Sequence, residues 1–191
     1  MTLTAEIVDV VDHAVADLGR GRPVVVHGGS QGAVLVAAAA GIDPSTVAFL
    51  VRYGSGFLEA AAPPSLLDAL DLPPAHGRSA RTVPFDAATG VSTGISATER
   101  ARTLALLADP ATRPDDLTRP GHVVATATRA GRADTVEVAS ALAALAGLGP
   151  VAVLCTMLDE ETGELLDPVT AIAFARVEGL VDLAVTDLIS R

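Results

Sequence analysis

Apolar positions along the chain alternate between helical and strand-like spacing. Residues 4–18 place one apolar face at i, i+3 and i+4 spacing, which predicts an amphipathic helix that glycines end at positions 19 and 21. The face consists of Ile7, Val10, Val11, Ala14 and Leu18. The β-branched run at 23–28, PVVVHG, predicts a buried strand. The alanine-rich run at 32–41, GAVLVAAAAG, predicts a helix that ends at Gly41.

The alternation continues to the end of the chain. The patterns predict helices over 97–109, 134–146 and 168–179, strands over 81–90, 119–128 and 149–158, a helix or strand over 45–56, a short helix within the Pro-rich stretch 61–80, an acidic hairpin or loop over 159–167, and a final strand and helix over 180–190. Ser96 followed by Glu99 forms a capping box before the helix at 97–109. Because no repeat or linker interrupts the pattern, the sequence predicts one α/β or α+β domain over 1–191.

Composition and charge exclude several classes of partner. The formal net charge is −10 and no basic patch occurs, which argues against a nucleic-acid ligand. No apolar run reaches the roughly 18 residues that a bilayer span needs, and the first 21 residues lack the basic segment of a signal peptide. The single cysteine, Cys155, excludes an internal disulfide and predicts a reducing, cytoplasmic location.

A glycine-flanked serine stands between the predicted strand and helix. Residues 28–32, GGSQG, fit G-x-S-x-G, the nucleophile elbow of α/β-hydrolases, in the strand-turn-helix context that this motif requires. Ser30 is therefore a candidate nucleophile. The alternatives are a glycine loop that cradles a phosphate and a remnant of a different, deleted site.

Four segments together resemble a known enzyme family. They are RYGSGFLEA at 52–60, GVSTGISATERART at 90–103, DLTRPGHVVA at 116–125 and LAGLGPVAVLCTMLDEETG at 145–163. They resemble 3,4-dihydroxy-2-butanone 4-phosphate synthase of riboflavin biosynthesis, which converts ribulose 5-phosphate to a four-carbon ketone phosphate and formate. The resemblance implies a single-domain α/β sandwich with a mixed sheet and flanking helices. It also implies a homodimer with active sites at the subunit boundary.

The chain departs from this family where the family holds its metal. The family's acidic loop, D-D-E-D-R-E-N-E-G-D, corresponds here to HGGSQG, and no carboxylate remains from residue 22 to residue 41. Thr135 stands at the family's metal-binding histidine, and Thr156 stands at the glutamate that follows the cysteine. A divalent cation needs oxygen ligands, mostly carboxylates. We therefore expect no metal, no cofactor and no synthase activity, and we interpret the match around Ser30 as accidental.

Other positions of the family pattern remain. His122 matches an essential histidine, and Arg132 could hold an anion. His27 replaces the first residue of the lost loop and is expected to face the same cleft. The predicted catalytic residues are thus His122 and His27, and the predicted substrate-binding residues are Arg132, Thr93, Ser55, Tyr53, Thr135, Cys155 and Thr156. Purely structural roles remain open for these residues: a turn for His122, helix capping around Thr93 and core packing for Cys155.

Two functional hypotheses follow. In the first, the chain is a repurposed lyase- or isomerase-like enzyme of specialised biosynthesis, which acts without metal on a small anionic, phosphorylated or carboxylated metabolite. In the second, it is a non-catalytic homologue that serves as a dimeric binding or regulatory protein or as a partner subunit. A serine hydrolase built on Ser30 is the third and weakest alternative, because it would also need an acid, His122 within reach and an oxyanion hole.

Overall fold

The computed structural model describes the backbone of residues 3–189 and the side chains of residues 10–188. The helices are α1 (Leu3–Gly19), α2 (Pro44–Tyr53), α3 (Pro64–Ala69), α4 (Ala97–Ala108), α5 (Thr135–Leu145), α6 (Pro168–Glu178) and α7 (Val185–Ile189). The strands are β1 (Val24–Gly29), β2 (Gly32–Ala38), β3 (Leu58–Ala62), β4 (Phe85–Ala87), β5 (Leu117–Ala127), β6 (Ala152–Thr156) and β7 (Asp182–Ala184).

The alanine-rich run after the G-x-S-x-G motif is a strand, so the predicted helix at 32–41 is wrong. β2 pairs antiparallel with β1 on one side and with β6 on the other. Alanine has the highest helix propensity, but propensity is a weak determinant of structure, and pairing on both edges overrides it here. A central strand that is buried on both faces is apolar throughout, so its sequence lacks the polar alternation that marks a strand. The nucleophile-elbow interpretation loses its structural context, because residues 28–32 form a hairpin turn.

The seven strands form one mixed sheet in the order β4-β5-β3-β6-β2-β1-β7. β3 pairs in parallel with β5 and β1 in parallel with β7, and the other four pairings are antiparallel. The predicted fold class, an α+β sandwich with a mixed sheet and flanking helices, is confirmed. Strand β3 was not predicted, because FLEAAA reads as a continuation of the preceding segment.

Helices cover both faces of the sheet. One buried cluster joins alternate residues of the central strands to α2, α3, α4 and α6, and a second joins the intervening residues to α1, α5 and α7. Val25 and Leu35 face the first cluster, whereas Val26 and Val34 face the second. This period-2 division is the sheet's own side-chain alternation. The chain is therefore a three-layer α/β/α structure.

The remaining predicted elements are largely confirmed. The helices predicted over 97–109, 134–146 and 168–179 are α4, α5 and α6, and the segment 45–56 is mostly the helix α2. The predicted apolar face of α1 is buried at Val11, Ala14 and Leu18, whereas the side chain of Ile7 lies outside the described residues. Within the described part of the chain, no helix combines the length and apolar character needed to cross a membrane.

Candidate functional site

A cavity of about 220 Å³ lies where the β1–β2 turn meets strands β3 and β5 and the start of α5. We call it the polar cavity. Its charged lining consists of three acids and three arginines, namely Glu59, Asp134, Glu137, Arg81, Arg129 and Arg132. The volume suits a small metabolite, since drug-sized ligands occupy roughly 300–1,000 Å³. The balanced charges suit a ligand that carries both an anionic group and hydrogen-bonding groups.

Asp134 joins the β1–β2 turn to the start of α5. Its carboxylate accepts hydrogen bonds from the Ser30 backbone N–H (2.8 Å) and the Ser30 hydroxyl (2.5 Å), and it caps α5 by accepting from Thr135 N (2.8 Å). Arg132 Nη2 lies 2.8 Å from the same carboxylate. Burial opposes ionisation, but the bonds from Ser30, Thr135 and Arg132 together hold the pKa of Asp134 well below its usual value. Ser30 is thus a structural partner of Asp134.

The close approach of the turn to α5 requires glycine at position 29. A Cβ atom at Gly29 would lie 2.0 Å from Thr135 Oγ1 and 2.7 Å from Asp134 Oδ1. Both atoms are held by the N-terminal cap of α5, so neither can move freely. The shortened turn is therefore packed tightly against the helix.

Glu59 is a carboxylate on the central strand β3, and it is only 3% exposed. Arg81 Nε and Nη2 donate to its two oxygens at 3.1 and 3.3 Å, and the Thr126 hydroxyl donates to Oε1. Gln31 Nε2 lies 3.4 Å from Oε2. Hydrogen bonding to Glu59 raises the pKa of Arg81, so the guanidinium group of Arg81 stays protonated. A buried carboxylate requires such partners, which explains why Arg81 lies here.

Two buried oxygen atoms of residues that line the polar cavity have no hydrogen-bond partner among the described residues. They are Gln31 Oε1 and Glu137 Oε2. The other oxygen of Glu137 accepts from the Arg129 backbone N–H at 2.9 Å. Most buried polar atoms in native proteins are paired, so two unpaired acceptors beside one cavity call for a physical explanation.

His122 and Asp86 form a second polar pair, on strands β5 and β4. His122 Nδ1 lies 2.7 Å from Asp86 Oδ2, and the His122 backbone N–H donates to Asp86 Oδ1 at 3.1 Å. Asp86 is nearly buried, while the His122 side chain is 40% exposed. Because a carboxylate only accepts, Nδ1 donates to it and Nε2 remains as the basic nitrogen. This is the arrangement in which a carboxylate orients an acid/base histidine.

The loop before α4 packs against this pair. A Cβ atom at Gly94 would lie 2.4 Å from His122 Nδ1 and 2.3 Å from Asp86 Oδ2, so only glycine fits. The Glu99 carboxylate accepts from Ser92 N (2.5 Å), Ser92 Oγ (2.7 Å) and Gly94 N (3.0 Å). The Ser92 bonds lower the pKa of Glu99 to about 2.

The predicted capping box is confirmed in one half and changed in the other. Ser96 Oγ accepts from Glu99 N at 3.2 Å, as the motif requires. The Glu99 carboxylate turns instead to the loop, where it also approaches the Thr93 hydroxyl at 3.4 Å. The loop N–H groups that a phosphate would use are therefore already bound by a side chain of the same chain.

Four other predicted site residues lie around the end of α2 and the end of β6. Ser55, Cys155 and Thr156 meet at the end of β6, where Ser55 N donates to Thr156 O at 2.7 Å and Ser55 Oγ lies 4.0 Å from Cys155 Sγ. Cys155 is fully buried, and burial raises the pKa of its thiol. Tyr53 packs between the rings of Phe49 and Phe174, with centroids 4.7 and 5.3 Å away.

His27 does not face the cleft that sequence analysis assigned to it. It lies on β1 next to β7, and its Nε2 is 3.4 Å from Asp182 Oδ2. Of the nine predicted site residues, the polar cavity's lining includes Arg132. Thr135 is fully buried just behind that lining. His122 lies four residues from Thr126 on β5, which places it up to about 13 Å away along an extended strand.

Sequence analysis missed most of the polar cavity. Glu59 has a visible signal, since it is the one acid in the apolar run FLEAAA, and a buried strand tolerates an acid only with a partner. Asp134 also has a visible signal, because an aspartate directly before an apolar helix predicts an N-cap. Arg81 and Gln31 carry no such signal. Gln31 reaches Glu59 because β2 and β3 both pair with β6, and Arg81 reaches it because Arg81 bridges to Thr126 on β5 beside β3.

Comparison with solved structures defines the class of protein. A crystal structure of 3,4-dihydroxy-2-butanone 4-phosphate synthase of Candida albicans superposes with a TM-score of 0.88 and 31% identity, covering 94% of this chain and 95% of that chain. A structure of 3,4-dihydroxy-2-butanone 4-phosphate synthase in complex with two magnesium ions gives 0.88 and 32%, covering 94% of each chain. The sandwich is thus the fold of these synthases.

The sequences define the family. A family model described as 3,4-dihydroxy-2-butanone 4-phosphate synthase matches residues 12–191. Riboflavin biosynthesis protein RibBA of Salinispora tropica is 41% identical over 94% of this chain and 48% of its own length, and that of Mycobacterium marinum is 39% identical over 95% and 46%. The chain belongs to the 3,4-dihydroxy-2-butanone 4-phosphate synthase family. It spans about half the length of these curated relatives.

These findings overturn the functional hypotheses of the sequence analysis. A chain about 40% identical to riboflavin biosynthesis proteins over almost its whole length is a member of a biosynthetic enzyme family, and the comparisons point to the family's own activity. Neither a repurposed enzyme nor a non-catalytic homologue is supported. The hypotheses relied on the shortened loop, whereas the 41% identity with RibBA of Salinispora tropica extends over 94% of the chain.

The polar cavity does not fit a divalent cation as it stands. Glu59 and Asp134 are each paired with a guanidinium group, and the three arginines balance the three acids. Among residues with described side chains, no group of three or more His, Cys, Asp or Glu is placed to hold a metal ion. Mg²⁺ prefers several free oxygen ligands. The expectation of metal independence remains a prediction.

Proposed function

We propose that this chain is a 3,4-dihydroxy-2-butanone 4-phosphate synthase domain, which converts ribulose 5-phosphate to the four-carbon ketone phosphate and formate in riboflavin biosynthesis. The 41% identity with RibBA of Salinispora tropica over 94% of the chain carries the proposal. The five carbons of the substrate are conserved as four plus one, so no further reactant is needed.

The Asp86–His122 pair supports the proposal chemically. The reaction requires a proton to leave the carbon beside the carbonyl group, and a histidine oriented by a carboxylate can take and return that proton. Asp86 holds the ring through Nδ1, so Nε2 of the exposed His122 does the transfer. In the polar cavity, Arg129 offers a guanidinium group that has no side-chain partner among the described residues, and it can bind the phosphate.

A coupled assay of formate and of the four-carbon product tests the proposed function. Purified protein is incubated with ribulose 5-phosphate in three parallel reactions: without added metal, with Mg²⁺, and with a chelator. The proposal expects formate and ketone phosphate in equal amounts in at least one reaction, and equal loss of both with His122→Gln. If folded protein forms neither product in any of the three, the proposal is wrong.

We also propose that the chain is a homodimer whose sites lie near the subunit boundary, with a small anionic metabolite as its ligand. Two exposed apolar residues support this: Phe57 (47% exposed) and Ile95 (52%). Arg100 Nη1 donates to Gly56 O at 2.9 Å, which ties the turn of Phe57 to the helix that follows Ile95. The distance from His122 to the polar cavity adds support, because a second copy can bring its own His122 closer. The cytoplasmic location likewise stays a prediction.

Light scattering on a size-exclusion column tests the dimer. The double variant Phe57→Ser, Ile95→Ser should shift the protein from dimer to monomer and reduce formate release. The matched control is Val169→Ser, Val177→Ser on α6, where the residues are 77% and 82% exposed, and it should leave both unchanged. A wild-type protein that elutes as a monomer at high concentration would contradict the proposal.

A further inference from the structure

The shortened β1–β2 turn directs Gln31 toward the polar cavity. The bonds between Ser30 and Asp134 fix the tip of the turn, and Gln31 follows directly. Its amide makes a single long bond within the described residues, the 3.4 Å donation to Glu59, and its carbonyl oxygen is buried without a donor. The fold therefore gains little from this glutamine, which points to a ligand as its partner.

Glu59 is not available to a ligand itself. Its Oε1 accepts from Arg81 and Thr126, and its Oε2 accepts from Arg81 and Gln31, so all four expected acceptor directions are used. Glu59 is therefore a positioning residue. It holds the amide nitrogen of Gln31 and thereby leaves the oxygen of that amide as the free acceptor.

Glu137 supplies a second acceptor of the same kind. One of its carboxylate oxygens is bound to the Arg129 backbone, and the other is buried without a partner among the described residues. Gln31 and Glu137 both line the polar cavity. Two buried acceptors without donors match a ligand with at least two hydroxyl groups, because each hydroxyl would remove the cost of one unpaired oxygen.

We propose that Gln31 and Glu137 accept hydrogen bonds from the hydroxyl groups of a phosphorylated polyhydroxy ketone, that Arg129 binds its phosphate, and that Glu59 positions Gln31. This inference rests on the proposed function and names the residues that select its substrate. It assigns hydroxyl recognition to the turn residue Gln31 and to Glu137 on α5. The selectivity follows from geometry, because a phosphate ester without hydroxyl groups leaves both oxygens unpaired.

Calorimetric titration separates the two parts of this subsite. The probes are ribulose 5-phosphate and inorganic phosphate, and the variants are Gln31→Ala, Glu137→Gln and Arg129→Ala. Gln31→Ala and Glu137→Gln should each weaken ribulose 5-phosphate binding about tenfold, which is the loss of about 1.4 kcal/mol, and change phosphate binding less than twofold. Arg129→Ala should weaken both probes. The matched controls are Glu161→Gln and Arg176→Ala, which lie outside the cavity.

The positioning role of Glu59 needs a separate readout. Glu59→Gln should weaken ribulose 5-phosphate binding like Gln31→Ala, and the double variant should be no weaker than either single one, because both act through one amide. Melting temperatures of all variants identify any that fail to fold.

The outcomes are distinct from those of the formate assay. Binding that shows this split without formate release would overturn the proposed reaction and leave the subsite standing. The subsite is wrong if Gln31→Ala binds ribulose 5-phosphate like the wild type, if it loses phosphate equally, or if the wild type binds neither probe.

Discussion

Replacing Asp134 by alanine tests whether the shortened turn is held by the cap of α5. The substitution removes an N-cap, which costs about 1 kcal/mol. It also removes the acceptor of the Ser30 N–H, the Ser30 hydroxyl and Arg132, at positions where water can replace it. Bonds to a charged group contribute about 1.5 kcal/mol when partly buried and less when exposed, so the total is about 2–3 kcal/mol. For a domain of this size, the melting temperature should fall by about 4–12 °C.

Thermal and urea unfolding at several pH values measure this effect. The folded-state pKa of Asp134 is lowered, so its stabilisation is fully present above the unfolded value of about 4 and is lost as pH falls toward the folded pKa. The difference between wild type and Asp134→Ala should therefore be largest near pH 7 and shrink below pH 4. Asp115→Ala, at an exposed site, is the matched control. A loss under 2 °C at pH 7, or a difference that stays constant down to pH 3, would refute the reasoning.

Three further changes have defined outcomes. Gly29→Ala should destabilise the fold by about 1–3 kcal/mol in urea unfolding, because its Cβ would overlap Thr135. Gly19→Ala is the control and should not destabilise the fold, because open space surrounds Gly19. Equal effects of the two substitutions would contradict the packing account. Glu99→Gln should lower the melting temperature at pH 7. The difference from wild type should shrink as pH falls from about 4.5 toward 2, because the pKa of Glu99 in the folded protein is about 2. A difference in melting temperature that is unchanged at pH 2 would show that the loop does not depend on this charge. Asp86→Asn should reduce formate release about 100-fold or more with little change in KM, and a loss in KM alone would place Asp86 in binding.

The sequence was most informative where spacing and end signals agree. Helix α4 begins after Ser96 and has Glu99 in its first turn, and α6 begins after Asp167 and ends at Gly179 in a left-handed conformation. The patterns at 119–128 and 149–158 likewise correspond to β5 and β6. Such local signals need no knowledge of which strand pairs with which.

The sequence was least informative where distant pairing decides. The run GAVLVAAAAG is a strand because β1 and β6 lie on both sides of it. The polar cavity has the same origin, since Gln31, Glu59 and Arg81 meet only after the sheet forms. The loss of carboxylates from the loop at 27–32 can therefore be read from the sequence. That Glu59 lies beside the same turn cannot, because it depends on the pairing of distant strands.

The most direct test of the account is formate release from ribulose 5-phosphate by wild type, His122→Gln and Gln31→Ala. The account predicts formate from the wild type, a loss of about 100-fold or more in kcat with His122→Gln, and a rise of about tenfold in KM with Gln31→Ala. No formate from folded wild-type protein, whether Mg²⁺ or a chelator is added, would contradict the central claim.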